Sequence, residues 1–237
     1  MINGQTIALI LPARNEELSL PGVLSAVPSV VDRIIVVDNG STDRTPDVAS
    51  LHGAEVVSEP TPGYGRACLA GIAQLDEDPP DIVAFVDADG SDDLGQLPGI
   101  LLPIVNEGAH FVLTRRIPVN HLALTPQQRF GGWLATGLIR LFWGYRYTDL
   151  GPMRALSWQA LKRLGMQDPD FGWTVEMQIS AVRQQLRIRE IPVPYRPRVA
   201  GESKISRTVT GTFRAGMKIL WVIGRQALRD RGRNRAA

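Results

Sequence analysis

Five short apolar runs, each bounded by Asn, Asp, Gly or Pro and separated by stretches of helical spacing, constrain this chain most. Residues 6–11 (TIALIL), 33–37 (RIIVV), 54–57 (AEVV), 81–86 (DIVAFV) and 109–113 (AHFVL) are short and rich in β-branched residues. That is the pattern of strands buried on both faces of a sheet. Residues 15–28, 43–52, 64–76 and 94–106 lie between or after them with helical periodicity. Strand–helix alternation at this interval predicts an α/β fold with a doubly wound, mostly parallel sheet flanked by helices. Ligands of such sheets bind beyond the carboxyl ends of the strands. The residues following each run are therefore the candidates for function.

Pro12-Ala13-Arg14-Asn15-Glu16 follows the first run, Asp38-Asn39-Gly40-Ser41-Thr42-Asp43 the second, and Asp87-Ala88-Asp89-Gly90 the fourth. Polar groups thus gather on one edge of the predicted sheet. Asn15 and Thr42 or Asp43 equally suit helix N-caps, and Asp92 and Asp93 are either loop charges or caps of the next helix. Asp87 and Asp89 are two residues apart in an extended segment, so their carboxylates project to one side and repel unless a cation lies between them. Hard oxygen ligands with open coordination positions suit Mg²⁺ or Mn²⁺, with a substrate diphosphate completing the shell.

Several other chemistries are excluded. No Gly-rich loop ends in Lys-Ser/Thr, and no dinucleotide fingerprint follows the first strand. No G-x-S-x-G elbow is present. His52, His110 and His121 lack metal-ligand spacing, and the single Cys68 rules out an intramolecular disulfide. Hydrophobic residues make up 44% of the 237, which permits a sizeable core and excludes global disorder. No apolar stretch reaches the roughly 18–20 residues that span a bilayer. The chain begins almost directly with a strand-like run, and no signal peptide is expected.

Beside these residues a family resemblance is evident. PARNE, VVDNGSTDRT and FVDADGSDD resemble the motifs of inverting glycosyltransferases of family 2, which have the GT-A fold. The resemblance continues through Thr114-Arg115-Arg116, Asp149-Leu150-Gly151-Pro152-Met153-Arg154 and Gly172-Trp173-Thr174-Val175-Glu176-Met177-Gln178. It ends in Tyr195-Arg196-Pro197-Arg198 and Gly201-Glu202-Ser203-Lys204-Ile205. The later motifs are similar to those of polyprenyl-phosphate sugar transferases, the dolichol-phosphate mannose and glucose synthases. The resemblance implies that Pro12, Arg14 and Glu16 line the base and ribose pocket of a UDP- or GDP-sugar and that Asp38 bonds the base. It implies that Asp87 contacts the nucleotide sugar, that Asp89 holds the metal on its diphosphate, and that Arg115, Arg198 and Lys204 meet phosphates. The expected acceptor is polyprenyl phosphate, with a sugar or glycan hydroxyl as the alternative. A lipid phosphate is already ionised near pH 7 and needs cations to hold it in line. A hydroxyl needs a carboxylate base, for which Glu176 and Asp149 are the candidates. Glu176 equally suits an ordinary helix-face charge, and Asp149 an anchor for the DLG turn. A nucleotidyltransferase is a lesser alternative, because PARNE lacks the Gly-rich basic loop that a triphosphate needs.

The net charge of +2 hides a split. Residues 183–237 hold 14 of the 26 basic side chains and only 3 of the 24 acidic ones. Residues 1–204 read as the catalytic domain and 205–237 as a basic amphipathic extension. Arg207, Arg214, Lys218, Arg225 and Arg229 fall on one helical stripe, with Ile205, Val209, Phe213, Gly216, Leu220, Ile223 and Ala227 opposite. Such a helix either lies on an anionic membrane or packs its apolar side on protein. Residues 130–147 (FGGWLATGLIRLFWGYRY) form a second aromatic segment with the same two readings. The expected setting is the cytoplasmic face of a membrane, attached peripherally, with no nucleic-acid partner and with homo-oligomerisation left open.

Overall fold

The structure, a computed structural model, describes residues 1–199 and 209–236, and the side chains of the last helix from 215 to 230. Lys204, the 201–205 motif and Arg207 lie outside the described residues, as does the Arg214 side chain.

The first four predicted strands form as β1 (Ile7–Ala13), β2 (Arg33–Asp38), β3 (Glu55–Ser58) and β4 (Ile82–Phe85), all parallel. They are followed by β5 (Phe111–Pro118), β6 (Arg154–Ser157) and β7 (Ile188–Tyr195), giving one seven-stranded sheet in the order β3-β2-β1-β4-β6-β5-β7. β6 is antiparallel to β4 and β5, while β7 is parallel to β5. The period of two decides which face each side chain covers. In β1, Ile7, Leu9 and Leu11 join one core with the helices α1 (Leu20–Ser25), α2 (Thr45–Leu51) and α4 (Leu97–Glu107). Ala8 and Ile10 join the other, with α3 (Tyr64–Gln74), α5 (Pro126–Trp143), α6 (Trp158–Leu164) and α7 (Trp173–Arg183). Ile10 is fully buried, so Ile10→Ala removes about 2–5 kcal/mol of stability.

α1 is shorter than its periodicity predicts because residues 15–19 are spent on a turn. Asn15 adopts φ +52° and does not cap the helix. Its Oδ1 accepts from the Thr42 amide at 2.8 Å, and its own amide donates to Ser41 Oγ at 2.9 Å. The first two motifs are thereby cross-linked.

α8 (Val209–Ala236) lies against α5 and α7. Its inner side carries Val222, Ile223 and Ala227, all buried. Trp143 Nε1, at the end of α5, donates to Asp230 Oδ2 at 2.8 Å, and Arg183, at the end of α7, pairs with Asp230 at 3.0 Å. The C-terminal ends of α5 and α7 therefore both meet α8 at Asp230. The apolar side of α8 packs on protein, and its outer side shows Met217, Trp221, Arg225, Leu228 and Arg229. α5 is divided in the same way: Ala135, Thr136 and Ile139 face inward, while Phe130, Trp133 and Leu141 are exposed.

Candidate active site

β1, β2 and β4 deliver their trailing residues to one edge. The β1–β2 register pairs Ala13 with Asp38, and β4 ends two residues before Asp87. Pro12 is half-buried at the end of β1 and Arg14 is exposed. Asp38 Oδ1 accepts from the Ser41 amide at 3.1 Å, which shapes the loop after β2. Asn39 is buried and braces the next loop, its amide donating to the carbonyls of Glu59 and Thr61 at 3.0 and 2.8 Å.

A long-range contact closes the Asp-Ala-Asp loop. Arg198 Nη1 lies 2.9 Å from Glu16 Oε1, and its Nη2 lies 3.0 Å from Asp89 Oδ2. The segment after β7 carries it there: the Arg196 amide donates to Ser91 O at 2.9 Å and the Val199 amide to Asp89 O at 3.1 Å. Ser19 Oγ sits 2.8 Å from Glu16 Oε2 and 2.9 Å from Ala88 O. Asp89 Oδ1 accepts from the Ser91 amide at 2.9 Å and from the Ser91 hydroxyl. Three expected site residues, Glu16, Asp89 and Arg198, are thus brought together.

Among the described residues, the loop carries more carboxylates than cations. Desolvation first, and the neighbouring Asp89 second, push the Asp87 carboxyl up to about 6, against the hydrogen bond from Tyr64 and the charges of Arg198 and Arg154. The Asp92 carboxyl is pushed well up in the same direction by burial and by Asp87 and Asp89. Both Asp92 carboxylate oxygens are buried, with no hydrogen-bond partner among the described residues. Carboxylates that repel in a desolvated loop are stabilised by a divalent cation. Among the described residues no three His, Cys, Asp or Glu side chains converge tightly enough to hold a metal alone. The donor set thus fits an ion whose remaining positions are filled by substrate oxygens and water, as Mg²⁺ commonly is.

The other expected residues lie further along the sheet. Arg115 is exposed, and its neighbour Arg116 turns inward. Arg116 holds Asp149 with two side-chain bonds of 2.7 Å and an amide bond of 3.0 Å, its guanidinium 5.3 Å from the Tyr195 ring centre. Burial works against the charged Asp149 carboxyl, but the Arg116 bonds and charge outweigh it and hold it below the usual range. Glu176, in the first turn of α7, is buried and accepts from the amides of Gln167 and Asp168 at 3.0 and 2.7 Å through Oε2. Behind the acidic loop, Arg154 is fully buried, donating to the carbonyls of Gly151, Pro152 and Thr174 over the Trp173 ring. Tyr64 Oη, which no motif marks, donates to Asp87 Oδ1 at 3.1 Å. Its only signal in the sequence is a pair of flanking glycines, Gly63 and Gly65.

A mostly parallel α/β sheet with carboxylates beyond β1, β2 and β4 is the frame of an enzyme that handles a nucleotide sugar. Residues 8–151 match the family described as Glycosyl transferase family 2, and the chain belongs to that family as a hexosyltransferase. An uncharacterized glycosyltransferase of Mycobacterium tuberculosis is 41% identical over 210 residues, 89% of this chain and 94% of that protein. An undecaprenyl-phosphate mannosyltransferase of Micrococcus luteus is 31% identical over 218 residues, 86% of this chain and 89% of that protein. The crystal structure of glucosyl-3-phosphoglycerate synthase from Mycobacterium tuberculosis, in complex with Mn²⁺, UDP and glucosyl-3-phosphoglycerate, superimposes with a TM-score of 0.72 at 25% identity, covering 93% of this chain and 81% of that one. The fold is GT-A, as the sequence motifs imply.

Proposed function

We propose that this hexosyltransferase moves its sugar from UDP or GDP to polyprenyl phosphate, with inversion, at a membrane surface. One observation carries the choice of acceptor. Both carboxylates that suit a base are engaged, Asp149 by Arg116 and Glu176 by two backbone amides. Asp149 is also held below the usual range, which makes it a weak proton acceptor. An acceptor phosphate needs no base, because it is already an anion near pH 7. The kinship with an undecaprenyl-phosphate mannosyltransferase supports the same choice.

On this reading Pro12, Arg14 and Asp38 receive the nucleoside, while Asp87 and Asp89 would hold Mg²⁺ or Mn²⁺ against the donor diphosphate. The ion supplies charge stabilisation for the departing nucleoside diphosphate. Arg198 keeps Asp89 and Glu16 in register and places a fixed cation beside the leaving group, where a preorganised charge is most effective. Arg115, with Lys204 from outside the described residues, receives the acceptor phosphate. Its oxygen attacks the anomeric carbon as the sugar–diphosphate bond breaks, so the negative charge moves from nucleophile to leaving group.

Exposed apolar side chains support a membrane setting. Ile117, Val119, Leu122, Phe130 and Trp133 are exposed between the end of β5 and the first turns of α5. A Cβ at Gly132 would sit 3.8 Å from Asp149 Oδ1, so this part of α5 borders the Arg116–Asp149 pair. No helix among the described residues is long and apolar enough to cross a membrane. Attachment would be interfacial, through the outer sides of α5 and α8, with each basic residue near an anionic surface worth about 1 kcal/mol.

The second reading is a soluble phosphorylated acceptor, favoured by the likeness to glucosyl-3-phosphoglycerate synthase. Incubating the purified chain with labelled UDP- and GDP-hexoses, Mn²⁺ and either polyprenyl phosphate or phosphoglycerate separates the two. Label in the lipid extract is the expected result. Label on phosphoglycerate alone overturns the lipid acceptor and leaves the donor reading in place.

A further inference from the structure

Among the described residues, one ion pair ties α8 to the loop between α6 and α7. Lys218 Nζ lies 3.0 Å from Oδ2 of Asp168, a buried residue in the loop between α6 and α7. The same ammonium faces the Trp221 ring at 5.0 Å. By its spacing Lys218 belongs to the basic stripe, but its charge points into the enzyme.

The loop it holds is tied to the start of α3. Asp168 Oδ1 accepts from the Asp170 amide at 2.9 Å, and Pro169 O accepts from the Arg66 amide at 3.0 Å. Glu176 secures the amides of Gln167 and Asp168. The two backbones touch: a Cβ at Gly65 would lie 2.0 Å from Asp168 O, and one at Gly63 would lie 2.4 Å from Pro169 O. On the other side, a Cβ at Gly172 would meet the Asp168 carboxylate at 2.7 Å and Val222 of α8 at 2.5 Å. The loop is therefore wedged between α8 and α3 with no slack on either side. Between Gly63 and Gly65 stands Tyr64, whose hydroxyl holds Asp87. The Gly63 amide donates to Asn39 Oδ1 at 2.8 Å, next to Asp38. A shift of the loop moves both contacts at once.

We propose that Lys218 is a positioning residue for the donor site: paired with Asp168, it fixes the loop that sets Tyr64 on Asp87 and Gly63 on Asn39. The proposal rests on the reading of Asp87 as a donor-binding residue. It couples the seating of α8 to the affinity for the nucleotide sugar rather than to the chemical step.

The test measures donor KM and kcat on the full chain with Mn²⁺ and saturating acceptor. Lys218→Met keeps the methylene packing and removes the charge. It is expected to raise the donor KM by about 5–20-fold with kcat within about 2-fold, the signature of lost ground-state binding. Lys218→Arg is expected to restore most of the affinity. Asp168→Asn is expected to match Lys218→Met, and the double variant to be no worse than either, because both remove one interaction. If Lys218→Met fails to fold, Asp168→Asn and Tyr64→Phe carry the test, each with a raised donor KM. A folded Lys218→Met or Asp168→Asn with wild-type donor KM overturns the proposal, as does an additive double variant. A wild-type chain that binds neither UDP- nor GDP-sugars overturns the donor reading beneath it.

Discussion

Beyond β1, β2 and β4, carboxylates outnumber the cations among the described residues; beyond β5, both candidate carboxylates are engaged. Asp87, Asp89 and Asp92 share a desolvated loop in which Asp89 is paired with Arg198, while the Asp92 carboxylate has no hydrogen-bond partner among the described residues. Across the sheet Arg116 and Asp149 neutralise each other in a bidentate pair, and Glu176 is saturated by backbone amides. An excess of charge suits a site that awaits a cation and a diphosphate. A site with its charges settled suits a substrate that arrives ionised and brings its own nucleophile. The comparison predicts that the two sides respond differently to neutralisation.

The largest effect is expected at the acidic loop. Asp89→Ala removes the carboxylate that Arg198 and the metal would share and should lower transfer by about 10³-fold, a loss of the size seen for single groups that stabilise developing charge. Calorimetry with UDP or GDP and Mn²⁺ should show the matching loss of metal-dependent binding. Next comes Arg198→Ala, which removes the guanidinium that Glu16 and Asp89 share. It should cost on the order of 100-fold in transfer, with a lowered melting temperature, since removing one partner of a buried ion pair is destabilising. Intact activity in either variant would erase the contrast between the two sides.

On the matched side, stability should change more than turnover. Asp149→Asn breaks the bidentate pair with Arg116, both side chains being largely buried. It should destabilise the fold by about 3 kcal/mol near neutral pH. The pH dependence has a definite sign. The folded Asp149 carboxyl is held below its usual range, so its stabilisation is present above the unfolded value of about 3.9 and is lost as pH falls through the folded value. The stability gap between wild type and Asp149→Asn should therefore close on acidification, as denaturant titrations at several pH values would show. Glu176→Gln keeps one carbonyl oxygen to accept from both amides and loses only the charge, and should cost about 1 kcal/mol with near-normal kcat. A collapse of kcat in that variant would make Glu176 a base and favour a hydroxyl acceptor. The smallest effect is expected at the outer side of α8. Neutralising Arg225 and Arg229 should weaken binding to anionic vesicles by roughly 5-fold each, leaving transfer to a short soluble acceptor analogue unchanged.

The same two regions differ in how far their local sequence reveals them. β1 to β4 and the residues trailing them were legible because each strand, its turn and its polar residues are contiguous, and parallel connectivity brings the strand ends to one edge. The closure of that edge was not. Arg198 and Glu16 are 182 positions apart, and only the path of the segment after β7 joins them. Of the adjacent Arg115 and Arg116, the period of two in β5 decides which turns inward, and the register with β6 and β7 has to be known first. Asp149 and Glu176 stand out as acidic residues near a site, yet their availability depends on partners that spacing does not show. Tyr64 carries no signal beyond its flanking glycines. Lys218 is misleading in a helical projection: it lies on the basic stripe, and tertiary packing directs its ammonium to Asp168.

On the proposed function, the acidic edge binds the donor while the opposite side receives an anion that needs no base. Product analysis of wild type, Asp149→Asn and Glu176→Gln with labelled nucleotide hexose, Mn²⁺ and polyprenyl phosphate tests this in one experiment. Lipid-linked label is expected in all three, with the two variants within about 10-fold of wild type, because neither carboxylate transfers a proton. Label confined to a hydroxyl acceptor, and abolished in either variant, would contradict it.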